Sequence, residues 1–461
     1  MHRRAFLKGA VSTLAVSAAA IPVVTGHAGA AIRLADMRGS LGAETASLRP
    51  GAPDDQSRAL QLAIDSAADR GRPLFIPAGR YTVSNLRLPS GARLIGVPGQ
   101  TRLLYRGDGH LIFAEGVENV GLEGLVLDGG NRAFGDYAPG LAHISESRGV
   151  TISDCEVLGS AASGIALDRS SGRVENCTVS GAAQAGIRAV ESRGLRLSGN
   201  TVSDCANGGI LVHRWTAGED GTIVTGNRIE RIAARDGGTG QNGNGINVFR
   251  AHGVIVSDNR IADCTFTAVR VNAGSNVQIT GNSCLRSGET GIFVEFGAQG
   301  AIVSSNMVDG AATGISVSNF DQDGRLAVVS GNIVRNLHTT IPYEDPSQGR
   351  GIGIAVEAET TVSGNVIEDA PNFGMVLGWG PYLRNVSATA NIIRKADVGI
   401  AVSVVEGAGS ALIADNILSD IGNGAVIGYR WRERATGELA GDAGDAAASW
   451  PHLTVSRNRV G

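Results

Sequence analysis

Three stretches, TISDCEVLGSAASGIALD (residues 151–168), RLSGNTVSDCANGGILVH (196–213) and VQITGNSCLRSGETGIFVE (277–295), share one frame. Each runs an alternating apolar segment into Asn or Cys, then a second apolar pair, a small-residue turn, Gly-Ile or Gly-Gly-Ile, and a short strand. The marker falls at Cys155, Cys177, Asn200, Asn227, Asn259, Asn282, Asn306, Asn332, Asn365, Asn391, Asn416 and Asn458. A recurring period of roughly 20–30 residues with strand-type alternation is the mark of a solenoid whose coils stack strand on strand. From Leu125 onward about thirteen coils follow; at ~4.8 Å per layer they span ~60 Å. Identical Asn side chains at equivalent turns are expected to stack as an internal ladder, bonding each other and the turn backbone. Twelve equivalent positions cannot all be members of one active site, so the ladder is structural.

The bulk composition agrees with this body. Glycine supplies 66 of 461 residues and aromatics only 4%, which suits many tight turns and narrow interior layers. A net charge of −4 gives no electrostatic case for nucleic acid or an anionic membrane. Of five cysteines, Cys155 and Cys177 occupy the marker position, and Cys205 and Cys264 lie five residues after theirs. Register therefore makes them small buried side chains with free thiols. Neither a metal site nor a cofactor is called for.

The chain opens MHRRAFLKGAVSTLAVSAAAIPVVTGHAGA, in which Arg3-Arg4, Phe6-Leu7-Lys8 and Ala28-Gly29-Ala30 have the layout of a twin-arginine export signal over residues 1–30. Its apolar stretch is too short and small-residue-rich to span a membrane, and no other stretch of spanning length occurs. Residues 31–49 read as a tether, and 50–461 as the coil with its cap. In GAPDDQSRALQLAID, Asp54 or Asp55 can N-cap a helix burying Leu60, Ala63, Ile64 and Ala67, with Gly71 to stop it. A helix laid across the end of a strand stack protects its unpaired edge.

That entry, followed by PAGRY, LPSGARLIGVPG and GVENVGLEGLVLDGG, resembles pectate-lyase-like right-handed parallel β-helix proteins. With the export signal and the Asn-marked repeat, nearly the whole chain resembles the twin-arginine-translocated repetitive proteins. The resemblance implies an all-β right-handed parallel β-helix, a capping helix, and export to the periplasm or beyond; it carries no catalytic residue. The Asn-Thr-Asp, Asp-Asp, Gly-His-Gly and Arg-Ile-Lys set of polygalacturonases is missing, as is the Asp-Pro-His-Asp motif of alginate epimerases.

Period two orients the strand after Gly-Ile. Its inward residues are apolar, so two outward columns follow. One holds Arg188, Leu211, Asn247, Arg270 and Phe293; the other holds Asp168, His213, Phe249, Asn272, Glu295 and Glu357. These are expected to face solvent. Inserts after the same strand carry all four tryptophans, Trp215, Trp379, Trp431 and Trp450, with Tyr382 and Tyr429. Flat rings beside a polar strip suit an extended polysaccharide, whose sugars offer apolar faces and hydroxyl edges. The inserts RIAARDGGTGQNGNG and NLHTTIPYEDPSQGRG, on the other turn, are placed to close one side of the groove.

Substrate-binding candidates are thus Arg188, Asn247, Phe249, Phe293, Trp215, Trp379, Tyr382 and Trp431. Catalytic candidates are Arg270, Glu295, His213 and Asp321. Arg270 and Glu295, diagonal on adjacent coils, would serve β-elimination on a uronate, the Arg holding the carboxylate and a base taking the neighbouring proton. Glu295 and Glu357, two coils apart at ~10 Å, would serve inverting hydrolysis if they lean together. The expectation is an exported protein that binds or processes a polysaccharide; the alternative is a non-catalytic envelope scaffold or a glycan-binding protein.

Overall fold

A computed structural model describes residues 39, 41–42, 48–238, 240–317, 323–344, 349–441 and 449–461. The export signal and most of the tether lie outside the described residues, as does Asp321. Each coil contributes three short strands, exemplified by Val150–Ser153, Glu156–Leu158 and Ser163–Asp168. The first-position strands form one 16-stranded parallel sheet, with 13 of its rungs from residue 121 onward, matching the coils counted from the repeat. The second- and third-position strands form a network of 27 strands, parallel but for one C-terminal hairpin. The fold is an all-β parallel β-helix.

The interior is a thin apolar column. In every third-position strand the predicted inward pair, such as Ile165 and Leu167 or Ile292 and Val294, is buried. The glycine before the inward Ile has a packing reason. At Gly291 a Cβ would lie 2.5 Å from Val308 Cγ1 and 2.6 Å from the Gly314 carbonyl, so any side chain would push adjacent coils apart.

At the marker, the ladder expected from the repeat is continuous. Asn200 Nδ2 donates to Asn227 Oδ1 at 3.0 Å and to Val174 O at 2.9 Å, and the pattern recurs at each marker through Asn416. Each Asn backbone N–H also donates to the next Asn Oδ1, so the amide satisfies a corner that strand pairing cannot reach. Where the ladder begins, Cys177 N–H donates to Asn200 Oδ1 at 2.9 Å. All five cysteines are buried free thiols, as register required of Cys155, Cys177, Cys205 and Cys264.

A helix covers the N-terminal end. Helix α1 (Ser57–Asp69) buries Leu60, Ala63, Ile64 and Ala67, and Gly71 follows it with φ +61°. The N-cap position is Gln56, not Asp54 or Asp55, and it makes no side-chain capping bond. Asp55 instead sits one residue earlier and accepts from the Ser57 N–H at 2.9 Å. Gln61 shows how the helix protects the edge: its amide donates to Arg87 O at 2.9 Å and accepts from Arg87 N–H at 2.8 Å. At the other end, the antiparallel strand Glu433–Glu438 folds back, and Glu438 accepts the Ala425 and Val426 N–H groups at 2.6 and 2.9 Å. Among the described residues no helix is long and apolar enough to cross a membrane.

Candidate functional site

Strand register reproduces both outward columns of the third-position face. One runs Arg87, Phe113, His143, Ala166, Arg188, Leu211, Asn247, Arg270, Phe293. The other runs Ser145, Asp168, Val190, His213, Phe249, Asn272, Glu295. These side chains point away from the coil interior, yet many do not reach solvent.

Arg270 and Glu295 are the clearest case. Arg270 Nε donates to Glu295 Oε1 at 2.7 Å and Nη2 to Oε2 at 3.0 Å, and Asn272 Nδ2 adds a bond to Oε1 at 2.8 Å. Both side chains are under 10% exposed. The cover is the insert after Ile232: a Cβ at Gly240 would fall 2.6 Å from an Arg270 terminal nitrogen, and Gln241 O accepts from Asn247 Nδ2 at 3.3 Å. The solvent-facing pair expected for β-elimination is therefore a closed, covered ion pair. Its carboxylate has both oxygens committed, which removes it as a free base and as a partner for the equally buried Glu357.

His213 is half-buried, with its Nε2 shut off from solvent. Burial, with the Arg188 charge nearby, pushes its imidazole down to about 4, so it is neutral at neutral pH. Its ring meets Phe249 edge-on at 5.8 Å, and Nε2 has no partner.

The structure adds a cluster that the columns, begun one coil too late, had missed. His143 Nε2 lies 3.1 Å from Asp168 Oδ2, and Arg188 Nη1 lies 2.7 Å from Asp168 Oδ1. Burial alone would raise the Asp168 carboxyl, but His143 and Arg188 outweigh it and hold it below its ordinary value. Phe113 stands between His143 and His110, with ring centroids 5.2 and 5.3 Å away. His110 Nδ1 is 2.8 Å from the Tyr137 hydroxyl. The visible signal was GLAHIS, residues 140–145, in which Leu141-Ala142 stands where Gly164-Ile165 stands one coil on.

Aromatic residues border this face. Among the described residues, five aromatics are prominently exposed: Tyr137, Trp215, Phe296, Tyr382 and Trp431. Tyr137 lies in the loop entering a third-position strand, and the other four extend from or follow one. Trp215 rides a bulge in the long strand Gly208–Glu219, held where Glu191 accepts its N–H at 2.6 Å and Arg250 donates to its carbonyl at 2.9 Å. Trp379 meets Trp431 edge-on at 5.6 Å, with the Arg432 guanidinium 5.7 Å from the Trp379 ring centre. Trp450 packs against the core instead. The expected single wall is in fact two groups, because Trp215 and Trp379 stand six rungs apart, about 29 Å. Of the inserts on the opposite turn, the second packs inward through Tyr343, whose hydroxyl donates to Glu289 at 2.6 Å.

A separate open groove of about 680 Å³ crosses the first-position sheet near the N-terminal end, lined by Arg93, Glu123, Thr151, Arg173 and Glu175 among others. Arg173 is already paired with Glu175 at 3.2 Å, and no aromatic ring lines it.

The family model for the right-handed β-helix region matches residues 139–236 and 215–393. No curated protein sequence matches. Among solved structures, the chain is similar to the pre-mature bacteriophage phi29 gene product 12, at 16% identity over 84% of this chain and 55% of that one, with a TM-score of 0.50. It is also similar to the Azotobacter vinelandii mannuronan C-5 epimerase AlgE6 A-module, at 16% identity over 92% and 99%, TM-score 0.48. A third similarity is to the GH87 α-1,3-glucanase of Streptomyces thermodiastaticus strain HF3-3, at 14% identity over 94% and 70%, TM-score 0.47. At such identities the likeness concerns fold alone. Matched over more than half its length, the chain belongs to the right-handed β-helix family.

Proposed function

We propose that this is a protein exported by the twin-arginine route that binds an extended polysaccharide along the third-position face. The observation that carries the reading is the placement of the exposed rings: all five prominent ones among the described residues flank that one face of a long rod. A rod with rings at separated stations along a polar strip suits a chain ligand, since each ring takes one sugar face while partly exposed polar groups of the strip, such as Arg188 and Asn272, take hydroxyls. Binding is favoured over chemistry because the best-placed acid, Glu295, is already held by Arg270 and Asn272. The export signal supports an extracytoplasmic setting in which such polymers occur.

Calorimetric titration with a panel of uronate and neutral polysaccharides tests this. Trp215→Ala and Trp431→Ala are each expected to weaken binding about tenfold, about 1.4 kcal/mol, while Glu295→Gln leaves affinity within a few-fold. Absence of binding across the panel, or binding indifferent to both tryptophans, would overturn the reading. Turnover of a panel glycan that is lost in Glu295→Gln would overturn the non-catalytic part alone.

A further inference from the structure

The outward column of the second-position strands changes character halfway along the rod. From the N-terminal side it reads Glu156, Thr178, Thr201, Arg228, Arg260 and Ser283, one residue per rung. The next five rungs carry Met307, Ile333, Val366, Ile392 and Ile417. Those five are each 37–45% exposed. Across the marker corner, Ile302, Val328 and Leu412 are exposed to a similar degree on the first-position face. Single exposed aliphatics need no explanation, but an unbroken ladder of five with three neighbours is a contiguous apolar patch of the kind that marks an interface.

We infer that this face binds a second copy of the chain, antiparallel, about a two-fold axis passing between the Val366 and Ile392 rungs. Two features single out that occupant. First, the ladder runs about 19 Å at the 4.8 Å rung spacing, and only a surface of the same period meets it residue for residue; another copy of the ladder is such a surface. Second, the column beside it alternates in sign over four rungs, Asp309, Arg335, Glu368 and Arg394, with Ser419 on the fifth and Asp420 the residue after it. A two-fold between those rungs sets Glu368 opposite Arg394 on both sides of the axis and Arg335 opposite Ser419, next to Asp420, so the centre of the charged border is complementary to itself in this register. Centring the axis on the Val366 rung would instead oppose like charges. The ladder itself opposes Val366 to Ile392 and Ile333 to Ile417, while Met307, at the edge, falls opposite Arg459, the rung after Ile417. The third-position face is not part of this contact and stays open.

Sedimentation velocity of the full chain over a concentration series tests the contact. A monomer–dimer equilibrium is expected, weakened at least about 100-fold by Val366→Glu with Ile392→Glu, which place charge at the centre of the patch. Glu368→Arg alone should weaken the dimer, and Glu368→Arg with Arg394→Glu should recover most of the loss, which a purely apolar or misplaced contact would not do. Both substituted positions in the ladder are surface positions, and matched circular dichroism melts check that the coil is intact. A chain that stays monomeric to about 100 μM, or an oligomer indifferent to the ladder double variant, would overturn the inference.

Discussion

Arg270 and Glu295 lock together across one rung of the coil, guanidinium to carboxylate in two bonds of 2.7 and 3.0 Å, beneath the loop that carries Gly240. A buried pair of this kind is costly to halve and cheap to replace whole. Glu295→Ala takes the carboxylate partner from the buried Arg270 guanidinium and should cost about 3–5 kcal/mol. Replacing both with Met should cost far less than that single change. Chemical denaturation midpoints of the three proteins decide it; equal losses for the single and double variants would mean the pair is not the unit.

The asparagine ladder predicts a graded series. Asn282 receives Asn259 through both its backbone N–H and Nδ2, and itself donates to Val256 O and Asn306 Oδ1. Asn282→Ala therefore leaves several buried partners unpaired, at about 1–3 kcal/mol for each group stranded. Asn458 accepts both Asn416 donors and donates to Ile413 O, but it is only half-buried, so water can replace lost partners and Asn458→Ala should be milder. Thermal unfolding of the two variants should rank them in that order, and a reversal would show that the ladder is not what holds the corners.

Acid should loosen the outward strip before it reaches ordinary carboxylate titration. His213 and His110 have folded values near 4, against 6.5 for a free imidazole. The unfolded chain thus binds more protons between those values, and stability must fall as pH drops from about 6.5 to about 4. Asp168, held below the ordinary carboxylate value, adds a loss only at lower pH still. His213→Asn should flatten the melting temperature between pH 6.5 and 4.5 without removing the His110 contribution. An unchanged slope would show that His213 titrates normally.

What could be read from the residues and what could not divide along a physical line. Pairing in parallel strands is fixed by a period of two, so Asn272 opposite Glu295 and Arg270 opposite Phe293 follow from aligning repeats. The inward Ile and Val, the ladder and the helix face of Leu60 and Ile64 are equally local consequences of pattern. Whether an outward side chain meets water depends instead on the path of an irregular insert. Nothing in RIAARDGGTGQNGNG reports that Gly240 will settle on Arg270, because loop paths obey no period. The same holds for the tryptophans: their placement after one strand was visible, but the six rungs between Trp215 and Trp379 were not. His143 was missed for a different reason. Its strand has Leu141-Ala142 where the next coil has Gly164-Ile165, and a template that demands Gly-Ile excludes a residue that shares a column with Arg188.

Gly380 offers a way to move a ring without touching it. It adopts φ +57° and lies directly under the Trp431 indole, so an added methyl would collide with that ring. Gly380→Ala should therefore both strain the backbone and lift Trp431 off its seat against Trp379. If the exposed rings bind sugar, this variant should lose affinity about as much as Trp431→Ala, roughly tenfold, while Trp215 and its coil remain unaffected. Tryptophan fluorescence would report the displaced indole, and titration with a bound polysaccharide would report the affinity. A shifted indole signal with unchanged affinity would remove the C-terminal group of rings from the binding face and leave Trp215 as its anchor.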